Sequence, residues 1–200
     1  HFYVLHIGER TVIAPTWREY EPGPSDIVVT LDPGMAFGTG HHPTTRMCLE
    51  SLESLLAPRM DILDVGCGSG ILSIAAAKQD ARTVMGIEID SVAVRVAKQN
   101  VRDNGMGHSV RIAQGTLPHP DVQPSSYDIV IANISAKVVI ELAGELTAAL
   151  RPTGKLIASG ILLKDSDRVS EGLASAGSIT EETVVDGDWV TLVASTPGPS

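Results

Sequence analysis

The stretch Asp61-Ile62-Leu63-Asp64-Val65-Gly66-Cys67-Gly68-Ser69-Gly70-Ile71-Leu72 constrains the fold more than any other part of the chain. Ile62 to Val65 is a short apolar run expected as a buried strand, with the acid Asp64 near its C-terminal end. Three glycines follow at alternate positions, and Ile71 to Ala77 then opens a helix. Strand, glycine turn and helix put a ligand at the carboxyl end of a parallel sheet, where open α/β folds bind theirs. The turn is tight and a ligand there must touch backbone, which a Cβ would cover.

Glycine spacing narrows the ligand. The dinucleotide fingerprint G-x-G-x-x-G would need glycine at position 71, where this chain has Ile71, with Gly70 one place earlier. Its pattern is D-x-G-x-G-x-G, which resembles the first motif of Rossmann-like S-adenosylmethionine-dependent methyltransferases. Thr83 to Ile89 reads as a second strand carrying Glu88, an acid about 20 residues beyond the first glycine. A carboxylate there can accept from both hydroxyls of a ribose. Asp90 is the rival acid, but it directly precedes Ser91-Val92-Ala93-Val94 and reads as the cap of the next helix.

Composition excludes some functions. The chain of 200 residues is 43% hydrophobic and 20% charged, which suits one domain with a single core. No apolar run approaches the roughly 20 residues of a membrane-spanning helix, and no signal-peptide pattern opens the chain. Cys48 and Cys67 lack metal-type spacing, so no metal is expected, and a reduced, cytoplasmic protein fits. Net charge is −9 with no long basic run, against direct nucleic-acid binding. An acidic surface can steer a basic partner, and solubility explains it equally well.

From the start of the chain, Phe2 to Ile7, Arg10 to Ala14 and Ile27 to Leu31 read as strands, the first two as a hairpin around Gly8-Glu9. They make a small β preface, residues 1–31, expected to pack on the main domain. Asp32-Pro33-Gly34-Met35-Ala36-Phe37-Gly38-Thr39-Gly40-His41-His42-Pro43-Thr44-Thr45 follows, ahead of a helix from Arg46 to Leu56. A loop in which hydroxyls, backbone amides and one aromatic converge suits a polar cofactor. Its glycines at 34, 38 and 40 suggest a mobile cover that cofactor would order.

This loop resembles the D-P-G-x-A-F-G-T-G-x-H-P-T-T signature of the ribosomal protein L11 methyltransferases. The resemblance extends through Asp64 to Leu72, and through Gly86-Ile87-Glu88-Ile89-Asp90, where the family usually has Asp in place of Glu88. It continues through Asn100, Asn104-Gly105, Ile131-Ala132-Asn133-Ile134 and Ser159-Gly160-Ile161-Leu162. It implies S-adenosylmethionine as cofactor, held by Thr45, Gly66, Glu88 and Asn133. Phe37, Gly38 and Thr39 of the loop, Asp64 and Gly68 of the glycine turn, and Thr116 join that set.

Further along, Ser91 to Asn104 reads as a helix with Val92 and Val96 facing in and Ala93 and Ala97 as further candidates for that face. Val110 to Ala113 is a strand, followed by Gln114 to Leu117 as a loop beside the adenine. Tyr127 to Asn133 is the fourth strand of the main sheet, with Asn133 at its carboxyl end. Ala136 to Leu150 is a helix ended by Pro152 and Gly154. Lys155 to Ser159 is a strand and Lys164 to Ala176 a helix. Thr180 to Val185 and Trp189 to Ser195 make a closing hairpin, and residues 196–200 a tail. The expected fold is α/β: a Rossmann-like class I methyltransferase with a seven-stranded, mostly parallel sheet. The catalytic domain is expected over 32–195.

The resemblance implies an N-methyltransferase acting on amines of a protein substrate, ribosomal protein L11, with Asn133 the catalytic residue near the sulfonium. No residue is clearly a base for the amine. His41 and His42 lie in the covering loop, and a capping role is expected of His42. After Asn133 the chain reads Ile134-Ser135-Ala136, without the Pro-Pro-aromatic run of adenine and glutamine methyltransferases. No aromatic is thereby placed to stack a flipped base. The family's N-terminal recognition domain, of ordinary small-domain size, is not part of this sequence. A methyltransferase with another protein or a small molecule as substrate, or a non-catalytic cofactor-binding module, is the alternative expectation.

Overall fold

The computed structural model describes residues 3–32 and 41–198. Strands β1 (Leu5–Ile7), β2 (Thr11–Pro15) and β3 (Ile27–Leu31) come first. Then come α1 (Pro43–Leu55), β4 (Asp61–Val65), α2 (Ile71–Lys78), β5 (Thr83–Glu88) and α3 (Ser91–Asp103). β6 (Val110–Gln114), β7 (Tyr127–Asn133), α4 (Ala136–Ala149) and β8 (Leu150–Leu162) follow, and α5 (Ser166–Ser175), β9 (Ile179–Asp186) and β10 (Trp189–Ser195) close the chain.

The main sheet has seven strands in the order β6-β5-β4-β7-β8-β10-β9. Strands β4 to β8 pair in parallel, and β10 runs antiparallel to both β8 and β9. The order reverses between β4 and β5 on one side and β7 on the other, a topological switch point that opens a crevice at the strands' carboxyl ends. This is the α/β fold, with a seven-stranded and mostly parallel sheet, expected from the βα alternation.

Strict alternation along the strands assigns each side chain to one of two core layers. Ile62, Val84, Ile129, Ile131 and Ile157 face α1, α2 and α3. Leu63, Met85, Ile87, Val130 and Leu156 face α4 and α5. Strands buried on both faces read as continuous apolar runs, which is how these sequences look. Truncating a fully buried member such as Ile131 to alanine costs about 2–5 kcal/mol.

The three-stranded preface joins the first layer through Ile7, Ile13, Val29 and Leu31. Asn104, the C-cap of α3, accepts the Thr30 N–H and donates to the Thr30 carbonyl, both at 2.8 Å. Glu53 of α1 accepts the backbone N–H groups of Glu9, Arg10 and Thr11 at the β1–β2 turn. Charged acceptors satisfying several turn amides at once hold such a turn firmly.

Two expectations need correction. Helix α3 turns Val94, Ala97 and Val101 inward, while Val92 is half exposed. Val92 borders a cavity in place of packing in the core. The second concerns α4, which ends at Ala149 without help from Pro152 or Gly154. Both lie inside β8, which begins at Leu150. Arg151 explains the early start: it binds Asp128 and Asp61 at 2.7 Å and draws this segment onto the sheet.

Candidate active site

Strand β4 ends at Val65, and the chain turns through Gly66, Gly68 and Gly70, at φ 72°, 53° and 83°. Two backbone hydrogen bonds from Gly66 and Cys67 to the Ile87 carbonyl, at 2.9 and 3.0 Å, tie the turn to β5. Glu88 at the end of β5 then accepts the Gly68 N–H at 3.0 Å through Oε1 and the Asp90 N–H at 2.9 Å through Oε2. Asp90 caps α3 by accepting the Val92 N–H at 2.9 Å. Both acids line the crevice, and Asp90 also starts the helix, the capping role expected of it.

A cavity of about 430 Å³ opens above these residues. Its polar groups include Glu88, Thr116 and Asn133, and Ile89, Val92 and Leu142 are among its apolar ones. A second cavity of about 270 Å³ adjoins it, lined by His42, Thr45, Ser135, Gly160 and Trp189 among others. Gly66, Gly68, Asn133 and Ile134 line both, so the two are parts of one cleft. The combined size lies in the range of small-molecule sites, about 300–1,000 Å³.

The structure thus brings Gly66, Gly68, Glu88, Thr116 and Asn133 together in the larger part, and places Thr45 in the smaller. Helix α1 starts at Pro43, earlier than the expected Arg46, so Thr45 sits in its first turn and is buried. Asp64 lines neither part. It is buried beneath the glycine turn, accepts the Ser73 hydroxyl at 2.7 Å, and is pushed up to about 6, chiefly by burial. Phe37, Gly38 and Thr39, with the cover expected around them, lie outside the described residues.

His42 behaves as the expected cap. Its Nδ1 accepts the Thr44 N–H at 3.2 Å and meets the Thr44 hydroxyl at 2.7 Å. A neutral ring accepting at Nδ1 carries its proton on Nε2. The ring meets Trp189 edge-on, with centroids 4.8 Å apart at 70°. Trp189 was not singled out as a site residue in the sequence, where it reads simply as a strand residue. Neither cysteine suits nucleophilic work: burial pushes the Cys48 thiol up to about 12 and raises Cys67 well above its ordinary value. Among the described residues no acidic and histidine cluster could hold a metal ion.

The cleft fits an adenosyl sulfonium cofactor. Glycines with no side chain face both parts, a carboxylate stands at the end of β5, and α2 presents its amino end beside the turn. The family described as "Ribosomal protein L11 methyltransferase (PrmA)" matches residues 1–197. A ribosomal protein L11 methyltransferase from Chloroflexus aurantiacus is 44% identical over 98% of this chain and 67% of its own length. One from Geobacter metallireducens is 47% identical over 96% of this chain and 62% of its own. The chain therefore spans somewhat under two thirds to about two thirds of the length of these relatives. The crystal structure of ribosomal protein L11 methylase from Lactobacillus delbrueckii subsp. bulgaricus superposes with a TM-score of 0.87 at 30% identity, covering 98% of this chain and all of that one. A SAM-dependent methyltransferase from Aquifex aeolicus shares the fold, with a TM-score of 0.64 at 19% identity over 77% of this chain and 93% of that one. On this evidence the chain belongs to the ribosomal protein L11 methyltransferase family.

Proposed function

We propose that this chain transfers methyl groups from S-adenosylmethionine to amines of ribosomal protein L11, and that it works in the cytoplasm. The observation that carries the reading is the divided cleft, in which Asn133 stands where the two parts meet. The adenosine half suits the larger part, with Glu88 receiving the ribose hydroxyls and Thr116 beside the base. The methionine half suits Gly66, Thr45 and the positive end of α2, which favours a carboxylate. Residues 1–31 serve as a preface to a catalytic unit over 32–195, supported by the Thr30–Asn104 and Glu53 hydrogen bonds.

The cofactor, when bound, supplies an activated methyl group; the protein supplies orientation and electrostatics. The side-chain carbonyl of Asn133 can accept an N–H of the incoming amine and aim its lone pair along the transfer axis. Ser135 and Trp189 border the same space. Among the described residues no carboxylate lines the smaller part, and the Nδ1 lone pair of His42 is engaged in capping α1. In this reading Asn133 holds the amine in its neutral, nucleophilic form.

Two measurements test this. Titration calorimetry should show binding of S-adenosylmethionine and far weaker binding of NAD; comparable NAD binding would overturn the cofactor reading. Tritiated methyl transfer to purified L11 should label the protein at lysine or N-terminal amines. Absence of label with cofactor binding intact would sink L11 as the substrate and favour another protein or small molecule.

A further inference from the structure

We propose that Ile134 is a positioning residue for methyl transfer: its Cγ2 methyl, set against Gly66, fixes the spacing between the donor and acceptor parts of the cleft. The inference rests on the methyltransferase reading above and adds to it a residue that touches neither reacting atom.

Three contacts immobilise Ile134. A Cβ built on Gly66, which has φ 72°, would stand 2.5 Å from Ile134 Cγ2 and, among the described residues, meet no other neighbour within 4 Å. The isoleucine methyl thus fills the space that the missing side chain leaves open. The Ile134 N–H donates to the Ser159 carbonyl at 3.1 Å. The Ile134 carbonyl lies against the Gly160 α-carbon, at φ 80°, where a Cβ would collide with it. Neither the methyl nor the backbone can move without displacing β8 or the glycine turn.

Ile134 also lines both parts of the cleft, and it directly follows Asn133. The clamp that fixes its backbone therefore fixes the root of the Asn133 side chain as well. In-line displacement is intolerant of error: a misplacement of about 1 Å can cost on the order of a hundredfold in rate. A residue that sets the distance between Gly66 and Asn133 should act on turnover, with little effect on the affinity of either partner.

The side chain's branching supplies the test. Valine keeps Cγ2 and loses one methylene, whereas leucine keeps the carbon count and loses Cγ2. If the methyl against Gly66 matters, Ile134→Leu should lower kcat about tenfold or more, with KM for L11 and Kd for S-adenosylmethionine within about threefold of the parent. Ile134→Val should stay within about threefold in all three. A bulk-packing role predicts the reverse order, since only valine leaves a void. Parental kcat in Ile134→Leu, or an equal loss in Ile134→Val, overturns the proposal.

A second readout needs no acceptor. The side-chain amide resonances of Asn133, recorded with S-adenosylmethionine bound, should shift in Ile134→Leu and hold in Ile134→Val. Unshifted resonances in Ile134→Leu overturn the proposal even where L11 proves not to be the substrate. A parent that binds no S-adenosylmethionine overturns both this inference and the reading beneath it, whereas a parent that binds cofactor but leaves L11 unlabelled overturns only the substrate.

Discussion

Glu88 accepts the backbone N–H of Gly68 at 3.0 Å, so the acid at the end of β5 is anchored to the glycine turn that follows β4. One carboxylate joins the two strands on one flank of the cleft, and its other oxygen holds the Asp90 N–H at the start of α3. Its remaining lone pairs face the larger cavity. The side chain is ordered before any ligand arrives, which lowers the entropic cost of binding.

Replacing Glu88 with alanine should weaken S-adenosylmethionine binding by roughly 1.5–3 kcal/mol, the scale of hydrogen bonds to a charged group. That corresponds to about a ten- to hundredfold rise in Kd. Glu88→Asp should lose less, because a shorter carboxylate still reaches one hydroxyl. Calorimetry on Glu88→Ala beside Asp90→Ala decides the matter: parental affinity in the first with a loss in the second would assign the ribose to Asp90.

At the opposite end of the sheet, Asp61 accepts from Arg82, from Arg151 at 2.7 Å and from Thr83 at 2.7 Å. The hydrogen bond from Arg82 leads in holding its carboxyl well below the ordinary carboxylate range. A depressed acid adds stability that is present above its unfolded pKa, about 3.9, and is lost as pH falls toward the folded value. Both arginines are partly exposed, which screens the gain. Asp61→Asn should cost about 1–2 kcal/mol at pH 7. Urea titrations should show that gap narrowing below about pH 4; a gap independent of pH would mean that charge plays no part.

Much of this architecture was legible in the chain. Strands such as Ile27–Leu31 and Tyr127–Asn133 are apolar runs bounded by polar or turn residues, and their ends fall where expected. The glycine turn, Glu88 and Asp90 could be read because spacing along one β-α-β unit sets their geometry. What was not legible depends on distant partners. Trp189 meets His42 only because β10 inserts beside β8. Pro152 looks like a helix stop until Arg151 finds Asp61 and Asp128. Val92 reads as a core residue because periodicity reports a helical face, not whether that face meets the core or a cavity.

Asp64 offers a contrasting pH response. Burial raises its carboxyl to about 6, with the Glu88 charge adding to the rise and the Ser73 hydroxyl opposing it. A raised acid favours folding below its unfolded pKa, about 3.9, and that advantage is lost as pH rises through the folded value. Near pH 4 the protonated acid and an asparagine are close in shape and charge. At pH 8 the native carboxylate carries a desolvation cost that asparagine lacks. Asp64→Asn should therefore melt close to the parent at pH 4 and above it at pH 8. A variant less stable at pH 8 than at pH 4, relative to the parent, would show that the ionised form is favoured by contacts beyond Ser73.

The contact between Gly66 and Ile134 can be measured as an energy. Gly66→Ala meets two separate penalties: left-handed backbone, about 1–2 kcal/mol for a residue with a Cβ, and collision with Ile134 Cγ2 at 2.5 Å. Only the second depends on Ile134. Ile134→Ala removes Cγ2, so in the double variant the collision vanishes while the backbone penalty stays. The single variants should each be destabilised, and the double variant should be more stable than the sum of the two by about 1–2 kcal/mol, a coupling of the size seen between residues in contact. Chemical denaturation of the four proteins closes the cycle. Strict additivity would mean that the turn yields to the new methyl without help from Ile134, and that the two residues are not in register as placed.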